Sequence, residues 1–260
     1  MTMTRARRFD DRVVLICGGA DGMGAATSAL IAAEGGRVQV LDRAGERAEA
    51  TAAQIRQSGG SARALAADVT DEAAMTAAIE RVLAEEGRID VLIVIAGGSM
   101  AGRVADLPAE AWDRLYRLNV TATAMAARLV IPSMRAQGRG AIVTMSSISG
   151  LRGDPGWGAY NAAKAAVISL TQTLAWEEGT NGIRVNAVCP GPIASDRMIA
   201  SLDDPGFAAR YDNACAIGRM GRPAEVAAAI AFLASDEAAF VSGAHLVVDG
   251  GLTARTGQPV

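Results

Sequence analysis

The chain has 260 residues, of which 50% are hydrophobic and 20% charged, and its formal net charge is −3. This length and apolar fraction are typical of one domain with a large core. The mildly acidic balance disfavours binding to nucleic acid or to an anionic membrane surface, and no apolar run reaches the ~18 residues of a membrane span.

Residues 1–11 precede the first predicted strand and contain three arginines but no hydrophobic stretch typical of a secretory signal. We expect them to form a solvated tail. The three cysteines, Cys17, Cys189 and Cys215, are odd in number and do not have the spacing of metal ligands. This pattern predicts reduced thiols, no metal site and a cytoplasmic location.

A glycine-rich turn follows the first predicted strand, residues 12–17. The run Gly18-Gly-Ala-Asp-Gly22-Met-Gly24 leads into an Ala-rich helix that extends to about residue 34. Strand, glycine turn and helix together favour phosphate binding, because the glycines admit a pyrophosphate and the helix N-terminus offers free N–H groups. The second predicted strand, residues 37–41, is followed by Asp42, a carboxylate placed to accept hydrogen bonds from a ribose diol.

Strand and helix patterns alternate along the rest of the chain. The further predicted strands are residues 63–67, 89–95, 141–145, 183–188 and 244–248, and the further helices are 43–58, 71–86, 109–137, 158–178 and 223–234. The strands are continuous apolar runs, which is typical of a parallel sheet covered on both faces. No linker interrupts the series, so the sequence predicts one α/β domain over residues 1–260.

Three polar side chains between residues 147 and 164 form the predicted reactive centre. Tyr160 and Lys164 are four residues apart in a run of helix formers, so they share a helical face. An adjacent ammonium favours the phenolate and is expected to lower the pKa of Tyr160, as general acid–base catalysis requires. Ser147 follows an apolar strand, which predicts its hydroxyl at the carboxyl edge of the sheet, where open α/β sheets bind ligands.

Other residues at predicted strand ends admit two interpretations. Asp68 is placed to bind an adenine amino group or to act as an N-cap or turn acid. Pro190 and Gly191 are expected near a nicotinamide or in a simple strand-end turn. Asn119 lies inside a predicted helix, where it is either functional or a tolerated helix residue. Trp157 forms either an apolar wall of the substrate pocket or the packed start of a helix.

The chain resembles the short-chain dehydrogenase/reductase family in the order and spacing of a set of motifs between about residues 12 and 252. These motifs are Gly18-x-x-x-Gly22-x-Gly24, Asp68-Val, Ala96-Gly97, Asn119, Ser147, Tyr160-x-x-x-Lys164 and Pro190-Gly191. The resemblance implies a doubly wound (Rossmann) sheet of about seven parallel strands, a nicotinamide cofactor and a homotetramer.

The resemblance also implies roles for individual residues. Ser147 would hold the substrate oxygen and Tyr160 would exchange its proton, while Lys164 would bind the nicotinamide ribose and Asn119 would position a water in a proton relay. The predicted cofactor-binding residues are Gly18, Asp21, Gly22, Met23, Gly24, Asp42, Asp68, Val69, Ala96, Gly97, Tyr160, Lys164, Pro190, Gly191, Ile193 and Ser195.

Three positions depart from the pattern of the family. Cys17 stands where the family usually has Thr, Val94 and Ile95 replace its usual Asn-Asn before Ala-Gly, and Ser195 stands where Thr is common. Ser195 keeps a hydroxyl, whereas the other replacements are apolar, and Cys is a small hydrophobe when buried. We expect apolar packing between the neighbouring strands to replace a polar bridge.

These observations predict an oxidoreductase that transfers a hydride between NAD(H) and a secondary alcohol or ketone, with residues 195–217 as a lid over the substrate. Asp42 and Asp21 favour NAD over NADP, because a 2′-phosphate would meet two carboxylates, whereas Arg43 opposes them. One alternative is an NADPH-dependent 3-oxoacyl-thioester reductase. Others are a sugar-nucleotide epimerase or dehydratase, disfavoured by the glycine spacing, and a dinucleotide-binding protein without turnover.

Overall fold

Residues 7–200 and 205–255 are described in a computed structural model of the chain. Within these ranges one sheet of seven parallel strands forms, in the order β3-β2-β1-β4-β5-β6-β7. The strands are β1 (Val13–Cys17), β2 (Arg37–Asp42), β3 (Ser61–Ala66), β4 (Val91–Val94), β5 (Gly140–Met145), β6 (Ile183–Pro190) and β7 (His245–Val248). The predicted seven-stranded, doubly wound parallel sheet is therefore confirmed.

The α-helices of the described residues flank this sheet. They are α1 (Gly22–Ala33), α2 (Gly45–Gln57), α3 (Glu72–Glu86), α4 (Ala109–Tyr116), α5 (Ala122–Gln137), α6 (Gly158–Glu178), α7 (Asp196–Ala200), α8 (Pro205–Ala214) and α9 (Pro223–Ala234). No helix in the described parts of the chain is both long and apolar enough to cross a membrane.

Two hydrophobic clusters cover the two faces of the sheet. Along β1, Val14 and Ile16 belong to the first cluster, while Val13, Leu15 and Cys17 belong to the second. This alternation follows from the two-residue period of a strand. It explains why the strand sequences read as continuous apolar runs, since both faces are buried.

The packing predicted between Cys17 and Ile95 is wrong. Cys17 is paired in register with Val94, and both side chains lie in the second cluster. Ile95 packs against the first cluster, because consecutive residues of an extended chain point to opposite faces. The two strands are linked here through the backbone, where the N–H of Ile95 donates to the carbonyl of Cys17 at 2.9 Å.

The long helix predicted over residues 109–137 is divided by a π-helical turn at Arg117–Thr121. The side-chain amide of Asn119 donates to the carbonyl oxygen of Leu115 at 2.9 Å. That carbonyl is the acceptor that the backbone N–H of Asn119 would use in a regular α-helix. The side chain of Asn119 thus competes for a backbone acceptor at the point where the helix widens, and single π turns of this kind are frequent at functional sites.

Part of the segment predicted as a solvated tail packs on the domain. Phe9 is fully buried in the first cluster, and Arg8 forms an ion pair with the largely buried Glu34 at 2.7 Å. A large apolar side chain and a paired guanidinium hold this stretch against the sheet, which composition alone did not indicate. Residues 1–6 lie outside the described residues.

The amino edge of the sheet carries an ion-pair network around Asp90, whose side chain is buried. One of its oxygens accepts from the N–H of Val13 at 2.8 Å. Arg139 donates to the other oxygen at 3.1 Å, and Arg12 lies 3.7 Å from it. A buried carboxylate is tolerated here because it is paired and hydrogen-bonded.

Candidate active site

The strand order reverses between β1 and β4, and the glycine turn lies at the carboxyl end of β1. Open α/β sheets bind ligands at such a reversal. A Cβ on Gly18 would lie 2.6 Å from the N atom of Ala96, and one on Gly24 would lie 1.9 Å from the carbonyl oxygen of Gly18. A side chain at either position would clash with the backbone, so glycine is required at both positions even without a bound ligand.

Gly22 differs from the other two motif glycines. Its φ is +49°, and the nearest neighbour of a Cβ built there would be the Cβ of Ser195 at 3.5 Å. Gly22 begins α1, and its N–H donates to the Asp21 carboxylate at 2.8 Å. Backbone at the start of this helix is accessible at Gly22, with Ser195 close by. The next residue, Met23, is half-buried and packs against the first cluster.

Asp42 is the last residue of β2 and is half-buried. One carboxylate oxygen accepts from the N–H of Ala44 at 3.0 Å, which fixes the side chain at the strand end. The structure thus places Asp42 at the same edge as the glycine turn, because the N–H of Gly18 donates to Leu41 next to it at 2.8 Å.

Asp68 takes the position of a turn acid. Its Oδ1 accepts from both the N–H of Thr70, at 2.8 Å, and the hydroxyl of Thr70, at 2.7 Å. These hydrogen bonds hold the pKa of Asp68 below its usual value, with smaller help from the charges of Arg43 and Arg117. Val69 beside it is buried in the second cluster. Contact between Asp68 and an adenine stays a prediction.

Asn119, Gly97 and Lys164 come together beyond the end of β4. A Cβ on Gly97 would lie 2.7 Å from Oδ1 of Asn119 and 3.2 Å from Nζ of Lys164. The Asn119 amide also donates to the carbonyl of Gly98 at 2.9 Å and accepts from its N–H at 3.3 Å. Asn119 is 1% exposed, so in this structure it ties the π turn to the loop after β4. Its predicted role in a water relay is not tested.

Ser147 and Tyr160 are neighbours at the carboxyl end of β5, where the Ser147 hydroxyl acts to lower the pKa of Tyr160. Ser147 caps a short 3₁₀ helix at Ile148–Gly150, where its hydroxyl accepts from the N–H of Ser149 at 3.2 Å. Tyr160 lies in the first turn of α6. The strand end and the helix start therefore bring the predicted hydroxyl and phenol to the same place.

Lys164 is on the same face of α6 as Tyr160, one turn further along, and is 4% exposed. Its Nζ lies 5.7 Å from the centre of the Tyr160 ring and donates to the carbonyl oxygen of Met145 at 2.9 Å. Burial lowers the pKa of Lys164 to about 8, with a small opposing effect from Cys189.

The pKa of Tyr160 differs in direction from the sequence prediction. Burial raises it above the usual value and the charge of Asp154 acts the same way, while the Ser147 hydrogen bond lowers it. The expected net lowering by Lys164 is therefore wrong for this structure. Loss of hydration around the phenol outweighs the stabilisation that its neighbours offer to the phenolate.

The chain after β6 returns over the glycine turn. Pro190 ends β6, and the N–H of Gly191 donates to Val248 at 3.0 Å. Ile193 is buried and forms an isolated bridge with Gly221. The hydroxyl of Ser195 accepts from the N–H of Met198 at 3.2 Å. The predicted lid contains α7 and α8, two helices that the sequence patterns did not indicate, while residues 201–204 lie outside the described residues.

Trp157 contacts the reactive phenol directly. Its ring meets that of Tyr160 edge to face, with centroids 6.1 Å apart and an interplanar angle of 69°. Trp157 is 36% exposed and forms a bridge with Gly102. The structure thus joins the two interpretations, since this residue both precedes α6 and offers an apolar surface beside Tyr160.

Two residues near the site were missed by sequence reasoning. The hydroxyl of Ser146 donates to the carbonyl of Lys164 at 2.8 Å and joins β5 to α6. Arg47, in the first turn of α2, forms an ion pair with Asp21 at 3.1 Å. The position of Ser146 next to Ser147 was a usable signal. Arg47 had none, because its partner lies 26 residues earlier in the sequence.

The residues at this edge fit a dinucleotide. A helix N-terminus begins at an accessible glycine, a carboxylate is fixed at the end of β2, and the missing side chain of Gly97 leaves the backbone close to Lys164. Backbone N–H groups and a helix dipole suit a pyrophosphate, and a carboxylate suits a ribose diol.

Comparison with known proteins identifies similar oxidoreductases. A family model described as enoyl-(acyl carrier protein) reductase matches residues 18–253. Cyclopentanol dehydrogenase of Comamonas sp. is 43% identical over 248 residues, which cover 95% of this chain and 99% of that protein.

Two solved structures superimpose on nearly the whole chain. A short-chain type dehydrogenase/reductase from Mycobacterium ulcerans has a TM-score of 0.91 and 32% identity, over 95% of this chain and 91% of its own. A 7α-hydroxysteroid dehydrogenase, in complex with NADH and 7-oxo glycochenodeoxycholic acid, has a TM-score of 0.91 and 31% identity, over 96% of this chain and 98% of its own.

Proposed function

Because this chain belongs to the short-chain dehydrogenase/reductase family, we propose that it transfers a hydride between NAD(H) and a secondary alcohol or ketone. The observation that carries the proposal is the convergence of Ser147, Tyr160 and Lys164 beside the backbone of Gly97. The bound nicotinamide ring would accept or donate the hydride.

The residues of the chain handle the proton and the oxygen of the substrate. Tyr160 gives a proton to the carbonyl oxygen in reduction and removes one from the hydroxyl in oxidation, and Ser147 orients both the phenol and the substrate oxygen by hydrogen bonding. The raised pKa of Tyr160 keeps it protonated at neutral pH, which is the form that reduction needs. Lys164, with Nζ protons beyond the one given to Met145, is placed to bind the ribose. Asn119 holds the loop after β4 against the site.

For the substrate we propose an apolar cyclic secondary alcohol or the corresponding ketone. Trp157 offers an exposed aromatic face against Tyr160, and an aromatic wall suits a ring without charged groups. Two of the similar proteins are named for cyclic alcohols, cyclopentanol and a 7α-hydroxysteroid.

A panel of secondary alcohols tests this function. NADH formation should be followed with cyclopentanol, cyclohexanol, 2-butanol, 1-phenylethanol and a polyol, with Trp157→Ala beside the wild type. The expected result is highest kcat/KM for the cyclic alcohols, with a loss in Trp157→Ala that is larger for them than for 2-butanol. A protein that oxidises none of these alcohols and reduces none of their ketones would contradict the proposal.

We propose NAD rather than NADP as the cofactor, with Asp42 as the main selector. A 2′-phosphate beside this carboxylate would repel it by about 4 kcal/mol at ~4 Å and an effective dielectric of ~20. Half of that value still gives a preference of very roughly 10- to 100-fold. In Asp42→Ala the NADP/NAD ratio of kcat/KM should rise, because an attractive and a repulsive contact are lost together. Equal use of both cofactors by the wild type would argue against Asp42 as the selector.

A second candidate reaction is reduction of an acyl thioester, either of a 3-oxo group with NADPH or as the description of the family model suggests. Adding 3-oxoacyl and enoyl thioesters to the substrate panel distinguishes it. A dinucleotide-binding protein without turnover is a third candidate, and turnover with any substrate of the panel excludes it.

We further propose a single-domain subunit that forms a homotetramer in the cytoplasm. Helices α5 and α6 carry apolar and small residues on more than one face, a pattern that favours association. Of these residues, Met125, Ala126, Leu129, Ala166 and Ile168 are buried or half-buried within the subunit, and Ala165 is exposed. Trp176 and Phe240 support association better, since they are 89% and 105% exposed. The buried thiols of the three cysteines are consistent with a reducing compartment. Light scattering at micromolar concentration tests the tetramer, and a monomer would contradict it.

A further inference from the structure

The carboxylate of Asp21 uses both of its oxygens. Oδ1 accepts from the N–H of Gly22 at 2.8 Å and caps α1. Oδ2 lies 3.1 Å from Nη1 of Arg47. Capping of α1 needs only the hydrogen bond from Gly22. It does not explain why Asp21 also pairs with the guanidinium of Arg47.

Neither helix context nor stability explains Arg47. The residue lies in the first turn of α2, where the helix dipole disfavours a cation. The side chains of Arg47 and Asp21 are 70% and 52% exposed, and pairs this exposed contribute little to stability. The position is nevertheless fixed by the scaffold, because the hydroxyl of Thr51 donates to the carbonyl of Ala20 at 3.0 Å and holds α2 against the glycine turn.

The ion pair lies at the sheet edge where Asp42 ends β2. Helix α2 begins at Gly45, three residues after Asp42, and its Arg47 and Thr51 contact Asp21 and Ala20 of the glycine turn. The start of a helix favours an added phosphate. Arginine is the residue best suited to bind a phosphate bidentately, and Arg47 stands here with its guanidinium already engaged by a carboxylate.

Arg43, next to Asp42 in the sequence, is a second arginine near this edge and is exposed. Its charge acts on Asp68, whose pKa it helps to lower. Each of the two arginines thus has a carboxylate neighbour other than Asp42. This edge of the sheet therefore has cationic side chains that could bind a 2′-phosphate. One of them, Arg47, is already paired with Asp21.

We propose that the Asp21–Arg47 ion pair is a second determinant of dinucleotide selection, in which Asp21 engages the Arg47 guanidinium and so prevents it from binding a 2′-phosphate. This inference rests on the proposed preference for NAD. It assigns to Arg47 a latent phosphate-binding role that Asp21 suppresses. Loss of Asp21 therefore does more than remove a negative charge, since it releases a phosphate ligand.

A double-mutant cycle separates these two effects. The variants are Asp21→Asn, Arg47→Gln and the double substitution. Asn is as good an N-cap as Asp, so the start of α1 is kept, and thermal melting checks this. The probes are 5′-AMP and adenosine 2′,5′-bisphosphate, whose dissociation constants are measured by calorimetry at low salt, where an exposed charge is least screened.

In Asp21→Asn the affinity for the bisphosphate relative to 5′-AMP should rise by about 10-fold or more, the size expected for a hydrogen bond between charged groups. The double variant should lose most of this gain, and Arg47→Gln alone should leave the ratio near that of the wild type. A gain that persists in the double variant, or no gain in Asp21→Asn, would overturn the proposal.

The Asp42→Ala variant, titrated with the same two probes, identifies which idea has failed. If it shifts the ratio while Asp21→Asn does not, the ion-pair proposal alone is wrong. If the wild type binds both probes equally well, the preference for NAD is wrong and the ion-pair proposal falls with it.

Discussion

The ammonium of Lys164 lies 5.7 Å from the centre of the Tyr160 ring, on one face of α6 where Lys164 is buried and Tyr160 is half-buried. Burial acts on the two in opposite directions, raising the pKa of the phenol and lowering that of the ammonium to about 8. The ammonium of Lys164 therefore loses its proton at a lower pH than the phenol of Tyr160, and the two titrations lie further apart than those of the free side chains, whose pKa values are similar.

Tyr160→Phe tests the proton-transfer role. The ring and its edge-to-face contact with Trp157 are kept, but the exchangeable proton is lost, so turnover should fall by at least ~10²-fold. Dinucleotide binding, measured by calorimetry, should be retained. Tyr116→Phe is the matched control, because Tyr116 is 51% exposed and should keep its activity. Turnover unchanged in Tyr160→Phe would exclude this residue as the acid–base group.

Lys164→Met tests the cost of burying the ammonium. The pKa of Lys164 is about 8 in the folded chain and ~10.4 in an unfolded one. Between these values the unfolded chain binds more protons, so stability of the wild type increases with pH in this window. The stability of Lys164→Met relative to wild type should therefore fall by roughly 3 kcal/mol from about pH 7 to about pH 10.

Denaturant unfolding without added cofactor measures this difference, and comparing the two proteins removes the contribution of all other groups. A difference independent of pH would show that the ammonium is not penalised by burial. In the same variant, weaker binding of NAD is expected from the lost contact with the ribose.

Gly24→Ala tests the close approach within the glycine turn. The added methyl would lie 1.9 Å from the carbonyl oxygen of Gly18, so the turn must open, at a cost of more than about 2 kcal/mol, and dinucleotide affinity should fall with it. Gly179→Ala is the control, since nothing lies within 4 Å of its Cβ position. If both variants melt at the wild-type temperature, the turn is not as tight as described.

Cys17→Thr and Ile95→Asn test whether the two positions interact. Ile95→Asn should lower stability by about 1–3 kcal/mol, because an amide enters an apolar cluster without a partner. The side chains lie on opposite faces of the sheet, so the effects should add within about 0.5 kcal/mol. A double variant clearly more stable than the sum would demonstrate a polar bridge that this geometry does not provide.

The strands of the sheet could be predicted from the sequence because each is marked by residues within the strand and next to it. Apolar runs bounded by Gly and charged residues located the seven strands, with ends shifted by up to two residues, as at residues 89–95 against Val91–Val94. The sequence also located Ser147, Tyr160 and Lys164, since strand-end position and helical spacing place them together.

The remaining features depend on contacts between distant residues. The π turn arises where the Asn119 side chain takes a backbone acceptor, a competition that no propensity records. The ion pair of Arg47 joins two elements, and the rise in the Tyr160 pKa depends on how much protein surrounds the ring. None of these is set by the residue types alone.

The buried network around Asp90 ties together the starts of β1, β4 and β5, while the glycine turn, Asp42 and the Ser147–Tyr160 pair all lie at the opposite ends of strands. The ion-pair network around Asp90 and the residues proposed to bind the ligands thus lie a full strand length apart. Mutations that change the specificity for the alcohol or the dinucleotide do not alter the Asp90 network. The effects of mutations at such distant sites on the free energy of unfolding are nearly additive. The fold can accordingly acquire new specificities by successive substitutions at one edge, while the other edge keeps the subunit folded.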